Sequence, residues 1–166
     1  MKIDISEGTE ILVFTGPESS GKTTCANRIA QKYKLPLVEE YAREYLNTHG
    51  SKYSFVDIQN ITALQVEAEA KTNKDNSLII CDTDIVTLEI WAMEKFGRAL
   101  KHKDNLIGKK HYLLCYPDIS WEPDPLRENP TDRVRLFAIY EQFLKELEVP
   151  FTVLKEEDRK GLELIL

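Results

Sequence analysis

Ile11-Leu12-Val13-Phe14-Thr15-Gly16-Pro17-Glu18-Ser19-Ser20-Gly21-Lys22-Thr23-Thr24 decides the reading of this chain. An apolar, β-rich run ends at a glycine, a turn follows, and a helical pattern opens that runs over Lys22–Tyr33. The middle of the stretch fits G-x-x-x-x-G-K-[ST] at every position, in the strand–turn–helix context the motif requires. Gly16 and Gly21 permit backbone angles that wrap a loop around an anion. Successive N–H groups and the helix N-terminus then point at phosphates. Lys22 adds a point charge against the β- and γ-phosphates, and Thr23 offers a hydroxyl to Mg²⁺. The expected nucleotide-binding residues are therefore Gly16, Glu18, Ser19, Ser20, Gly21, Lys22, Thr23 and Thr24, with ATP and Mg²⁺ as the expected cofactors.

Outward from this loop, short apolar runs alternate with longer helical patterns. Strands are expected at Glu10–Thr15, Leu37–Glu39, Leu78–Cys81, His111–Tyr116 and Phe151–Leu154. Helices are expected at Lys22–Tyr33, Ala42–His49, Phe55–Lys74, Ile85–Phe96 and Thr131–Leu147, with a terminal helix over Lys160–Leu166. Leu78–Cys81 is continuously apolar, as a strand buried on both faces should be. Strand–helix alternation of this kind specifies a parallel sheet covered on both faces. The fold class is α/β, a P-loop NTPase-type parallel five-stranded sheet, and residues 1–166 are expected to form a single domain. Two irregular loops break the rhythm. Arg98–Lys110 is basic, and its Arg98, Lys101, Lys103, Lys109 and Lys110 read as a solvated face. The segment around 119–135, with Pro123, Pro125 and Pro130, reads as a lid.

The 166 residues carry a net charge of −6 and are 42% hydrophobic, which supports one sizeable core and excludes disorder for the bulk of the chain. The acidic balance argues against a broad footprint on nucleic acid or an anionic membrane. No apolar run approaches the length of a membrane-spanning helix. The first residues have no apolar signal core, so a cytoplasmic protein is expected. The three cysteines show no C-x-x-C spacing and read as reduced, and the three histidines lie far apart, so no zinc site is expected.

Leu78-Ile79-Ile80-Cys81-Asp82 is an apolar strand ending in an aspartate, which places a carboxylate beside the phosphate loop to hold Mg²⁺. Thr83 and Asp84 follow, and Asp84 reads equally well as the N-cap of the next helix. Glu39 and Glu40 end the second strand, expected beside the phosphate loop in the sheet, where a carboxylate can take a proton from an acceptor hydroxyl. The base is open among Glu39, Glu40, Asp82 and Asp84, with Glu40 favoured. Arg43 faces the same way as Glu40 if a helix starts at Tyr41. Arg127, Arg133 and Arg135 cluster in and after the proline-rich loop, where cations can cover a transferring phosphoryl group. Trp91 and Trp121 are among the aromatics read as packing that could instead stack on a flat ring. A guanine-reading Asn-Lys-x-Asp is absent.

At these residues the chain resembles the ribosylnicotinamide kinase domain of the bacterial NadR proteins, within the P-loop kinases. The resemblance runs from Ile11 to about Val153. It rests on the phosphate loop, Glu40-Tyr41-Ala42-Arg43-Glu44-Tyr45, Gln65, Asp82-Thr83-Asp84, and Trp121 through Leu126-Arg127. It implies ATP-dependent phosphorylation of the 5′-hydroxyl of nicotinamide riboside, a small nucleoside-like partner, to nicotinamide mononucleotide. On this resemblance Lys22, Glu40, Asp82 and Arg127 would be catalytic. Thr23 and Asp82 would hold the metal, and Glu40, Tyr41, Arg43, Gln65 and Asp84 would contact substrate. The chain contains no adenylyltransferase H-x-G-H, and neither a repressor role nor a second enzymatic step is expected. The rival readings are a kinase for another nucleoside or vitamin, and an ATP-dependent switch that binds a protein partner.

Overall fold

The computed structural model describes residues 1–5, 8–50, 52–100 and 109–165. Strand β1 (Lys2–Asp4) is followed by β2 (Ile11–Thr15), α1 (Lys22–Tyr33), β3 (Leu37–Val38), α2 (Tyr41–His49) and α3 (Phe55–Lys74). Then come β4 (Ile79–Asp82), α4 (Ile85–Phe96), β5 (Lys110–Cys115), α5 (Arg133–Glu146), β6 (Phe151–Leu154), α6 (Glu156–Lys160) and β7 (Glu163–Ile165). Five strands form one parallel sheet in the order β3-β4-β2-β5-β6.

The central strand β2 shows why both faces must be covered. Leu12 and Phe14 pack on one side against Cys25, Ala26 and Ile29 of α1. Ile11 and Val13 point the other way, into a layer with Val86 and Ile90 of α4 and Phe137, Tyr140 and Leu144 of α5. Successive side chains of a strand alternate between faces, so a five-residue run that is buried throughout needs helices on both. The neighbours of β2 are β4 on one side and β5 on the other, which makes its carboxyl end the place where the connections diverge. Ligand crevices in open parallel sheets form at such a point.

The five strands of the main sheet and the main helices follow the sequence pattern, and several details differ. The edge strand β3 stops at Val38, leaving Glu39 exposed beyond it, and β4 lies between β3 and the phosphate-loop strand. Strand β5 begins one residue early, at Lys110, which is 3% exposed rather than on a solvated loop. Of the basic run, Lys101 and Lys103 lie outside the described residues, Lys109 pairs with Glu10, and Arg98 sits over the Phe55 ring. The terminal helix is replaced by short α6 and by β7, which pairs in parallel with β1. Ile3, Leu162 and Leu164 are buried there, and Ile3 and Leu164 stand opposite each other. A period of two, not 3.6, governs that end of the chain.

Candidate active site

The phosphate loop is a strained turn held by its own side chains. Gly16 has φ 129°, and a Cβ there would lie 2.7 Å from the Cys115 carbonyl oxygen, so no other residue fits. Gly21 begins α1 with φ 79°. Ser20, 1% exposed, donates its hydroxyl to the Pro17 carbonyl at 2.8 Å. The Lys22 ammonium donates to the same carbonyl at 2.8 Å. In this state the loop's own backbone engages the cation that the motif supplies for phosphates.

One cavity of about 200 Å³ opens from this loop. The whole run Gly16–Thr24 lines it, with Glu40 and Arg43 from the start of α2, Thr87 and Trp91 from α4, Arg127 from the β5–α5 loop, and Tyr140 from α5. A broader hollow of about 730 Å³ lies beside it and contains Tyr41, Asn47 and Asp82 together with Thr23, Glu40 and Arg43. Thr23, Glu40 and Arg43 stand between the two.

Burial raises two carboxyls beside the phosphate loop. Burial pushes Glu40 above the usual carboxylate range; Lys22 and Arg43 pull it back, and Asp82 and Glu18 push it further up. Burial also raises Asp82, against a hydrogen bond from Thr23 and the charge of Lys22. Asp82 is 3% exposed and its Oδ1 has no hydrogen-bond partner. A buried unpartnered carboxylate oxygen costs free energy unless something binds it. Thr23 and Asp82 thus offer oxygen ligands of the kind Mg²⁺ takes. Among the described residues no group of three or more His, Cys, Asp or Glu can hold a metal. A cation here would therefore draw the rest of its shell from phosphate oxygens and water.

Other expected site residues are placed differently. Asp84 is fully buried and lines neither cavity. It caps α4 by accepting the Val86 N–H at 2.9 Å, and its other oxygen accepts from Lys110 and the Tyr112 hydroxyl. Gln65, 2% exposed, accepts the Tyr41 N–H at 2.9 Å and donates to the Glu39 carbonyl at 3.4 Å. It fixes the chain on either side of Glu40 rather than facing the cavity. Arg133 is turned to the Ser19 and Ile119 carbonyls, and Arg135 pairs with Glu94 and Asp132. Of the three late arginines only Arg127 lines the cavity, where it also donates to the Glu122 carbonyl.

Thr87, Trp91 and Tyr140 carried no motif. Thr87 and Trp91 are four residues apart and so share a helix face, which is the one signal that groups them. The Trp91 indole N–H donates to the Tyr53 hydroxyl at 2.7 Å, which sets the ring at the cavity wall. Tyr140 had no such signal.

A family model described as "AAA domain" matches residues 11–160. The chain belongs to this family, AAA_28. This AAA domain is 27% identical over 161 residues to the trifunctional NAD biosynthesis/regulator protein NadR of Salmonella typhimurium. The match covers 90% of the chain and 39% of the Salmonella protein, so the chain spans about two fifths of that relative's length. Among solved structures, NadR in complex with NAD and AMP-PNP superimposes with a TM-score of 0.67 at 19% identity, over 90% of this chain and 45% of that one. NadR in complex with NR gives 0.66 at 20% identity, over 89% and 46%. At these identities the structural likeness establishes the P-loop NTPase fold. The roles of the AAA domain's site residues rest on its own geometry. No helix among the described residues is long and apolar enough to cross a membrane.

Proposed function

We propose that this protein is an ATP-dependent kinase that phosphorylates the 5′-hydroxyl of nicotinamide riboside to nicotinamide mononucleotide. One observation carries the reading: a single cavity joins a complete phosphate loop to a carboxyl raised by burial, Glu40, and to the loop cation Arg127. A nucleotide switch has no use for an acceptor-side carboxyl. A kinase needs one, within reach of the phosphates. The similarity to NadR, solved with NR and with AMP-PNP, supports nicotinamide riboside as the acceptor.

In the proposed reaction the acceptor oxygen attacks the γ-phosphorus of ATP. A new P–O bond forms, the bond to the β–γ bridging oxygen breaks, and ADP leaves. The hydroxyl proton passes to Glu40, whose raised pKa suits it to hold a proton at that moment. Lys22 exchanges the Pro17 carbonyl for phosphate oxygens. Arg127, which lines the same cavity, balances charge on the transferring group. Thr23 and Asp82 would hold Mg²⁺, which when bound neutralises phosphate charge. Trp91 offers a flat ring to the acceptor's base. The 119–135 segment acts as the lid of a single kinase domain. The three free, buried cysteines suit a reducing compartment, in keeping with a cytoplasmic location.

Incubation with nicotinamide riboside and ATP·Mg²⁺ tests the proposal. The product should be nicotinamide mononucleotide by mass, with equimolar ADP. Phosphorylation of a different nucleoside or vitamin alone would keep the reaction and overturn the substrate. ADP release with no acceptor phosphorylated would overturn the kinase.

A further inference from the structure

The phosphate-loop motif leaves the third position free, because phosphates are held there by backbone N–H groups. A glutamate at that position needs another explanation, and its side chain supplies one. The Glu18 carboxylate accepts the Glu128 N–H at 3.1 and 3.2 Å, the Asn129 N–H at 2.9 Å and the Asn129 side-chain amide at 3.3 Å. Two consecutive backbone N–H groups converge on it, as they do on a bound anion. The next residue holds the other end of the same segment. The Ser19 hydroxyl accepts the Glu122 N–H at 3.0 Å and donates to the Ser120 carbonyl at 3.4 Å.

Arg127 immediately precedes the pair that Glu18 holds. It lies outside the helices and strands, where its N–H closes a turn on the Asp124 carbonyl at 3.0 Å and its guanidinium donates to the Glu122 carbonyl, so the Glu18 anchor adds to these by fixing the residues that follow it. The Glu128 side chain is tied away from the cavity, to Lys95 at 2.6 Å and to the Tyr53 hydroxyl at 3.1 Å. Asp124 pairs with Arg43 at 2.9 Å. The segment is therefore fastened to α2 through Arg43, to α4 and Tyr53 through Glu128, and to the phosphate loop through Glu18 and Ser19.

We infer that Glu18 is a positioning residue: its carboxylate fixes the Glu128 and Asn129 N–H groups and so sets where the Arg127 guanidinium enters the cavity. This rests on the kinase reading above. The coupling is direct in the chain, since the loop that receives the phosphates also aims the cation that covers them. The residue type matters. Aspartate is one methylene too short to span the same gap. Glutamine presents an NH₂ donor where two N–H donors already point.

The test has one arm that needs no catalysis. Hydrogen exchange is followed at the Glu128 and Asn129 amides in wild type, Glu18→Gln and Glu18→Ala. Exchange there should rise about tenfold or more in Glu18→Ala, and less in Glu18→Gln, while α1 amides stay as protected as before. In the second arm, Glu18→Ala should lower kcat by about tenfold or more. KM for ATP should move little, because the loop's backbone N–H groups remain. Combining Glu18→Ala with Arg127→Ala should give a kcat no lower than Arg127→Ala alone, since an arginine that is gone cannot be misplaced.

Unchanged exchange at residues 128 and 129 overturns the inference. So do costs that multiply to within about twofold, as independent sites do. An inactive wild type would instead mark failure of the kinase reading, and the exchange arm would still decide whether Glu18 holds the segment.

Discussion

Asp82 and Asp84 stand two residues apart at the end of one strand, both buried, and they differ in how their oxygens are used. Asp84 accepts the Val86 N–H at 2.9 Å, the Lys110 ammonium at 3.0 Å and the Tyr112 hydroxyl at 2.8 Å. Lys110 in turn pairs with Glu69 at 2.7 Å. Asp82 has Thr23 beside one oxygen and nothing on Oδ1. Thr83 separates their environments. It sits at φ 67°, and its N–H is held by the Phe14 carbonyl at 2.9 Å. A β-branched residue in the left-handed region costs on the order of 1–3 kcal/mol and persists only where the surroundings enforce it. Here the turn leaves one carboxylate at the phosphate loop and the other inside the helix layer. Partner count, more than burial, separates the carboxylate that serves the fold from the one left open to a ligand.

The sharpest way to break this comparison is to remove the partner that Asp84 depends on. Burial works against the Lys110 ammonium, and Asp84 and Glu69 together overcome it and raise its pKa above the usual lysine value. Lys110→Met leaves the fully buried Asp84 and the half-buried Glu69 without their cation. Removing one partner of a buried pair typically costs about 3–5 kcal/mol, and at this chain length Tm should fall by roughly 6–20 °C. Calorimetry reads it. Turnover per folded molecule at low temperature should stay close to wild type. Full stability with lost turnover would move the Asp84 network into the active site and erase the distinction.

Asp82→Asn should show the reverse. It keeps the shape, removes the charge and reduces the ability to bind a cation. Turnover should fall about a hundredfold to a thousandfold, the range for losing one electrostatic contact in a transition state. The ligand-free protein should melt higher than wild type, because the buried charge opposed folding. A lower Tm in ligand-free Asp82→Asn would mean that Asp82, like Asp84, is structural.

The sheet, the phosphate loop and the helices around them were legible because each has a local signature. Ile11–Thr15 runs apolar into a glycine turn, and Ile79–Asp82 is buried on both faces. Glu40 and Arg127, expected near the phosphate loop from their chemistry, both line its cavity, and their roles belong to the proposal above. The misreadings share a cause: a residue's partner lies far along the chain. Lys110 looks like the end of a basic loop until Glu69 and Asp84 meet it from α3 and the end of β4. Gln65, expected as a substrate contact, has its amide bonded to the backbone on either side of Glu40, which no local pattern signals. Glu163–Ile165 looks helical until Lys2–Asp4 pairs with it. Glu18 fits the loop motif, yet the motif has no place for a contact 110 positions away.

The smallest effect is also the most specific. Burial raises Asp82 in the ligand-free protein, so the folded state holds that proton more tightly than the unfolded chain does. Its contribution to stability is full below the unfolded carboxylate value, near 4, and is lost as pH rises through the higher folded value. Asparagine at this position cannot titrate. The Tm advantage of Asp82→Asn over wild type should therefore be smallest below about pH 4 and grow toward neutral pH. Glu40, raised in the same direction, is present in both proteins, as are the lowered surface carboxyls Glu10 and Asp124. Taking the difference between the two Tm profiles largely cancels those groups and leaves mainly Asp82, with Glu40 contributing only through its coupling to it. A flat difference profile would mean that Asp82 titrates alike in folded and unfolded chains. The contrast with Asp84 would then lie in hydrogen bonding alone.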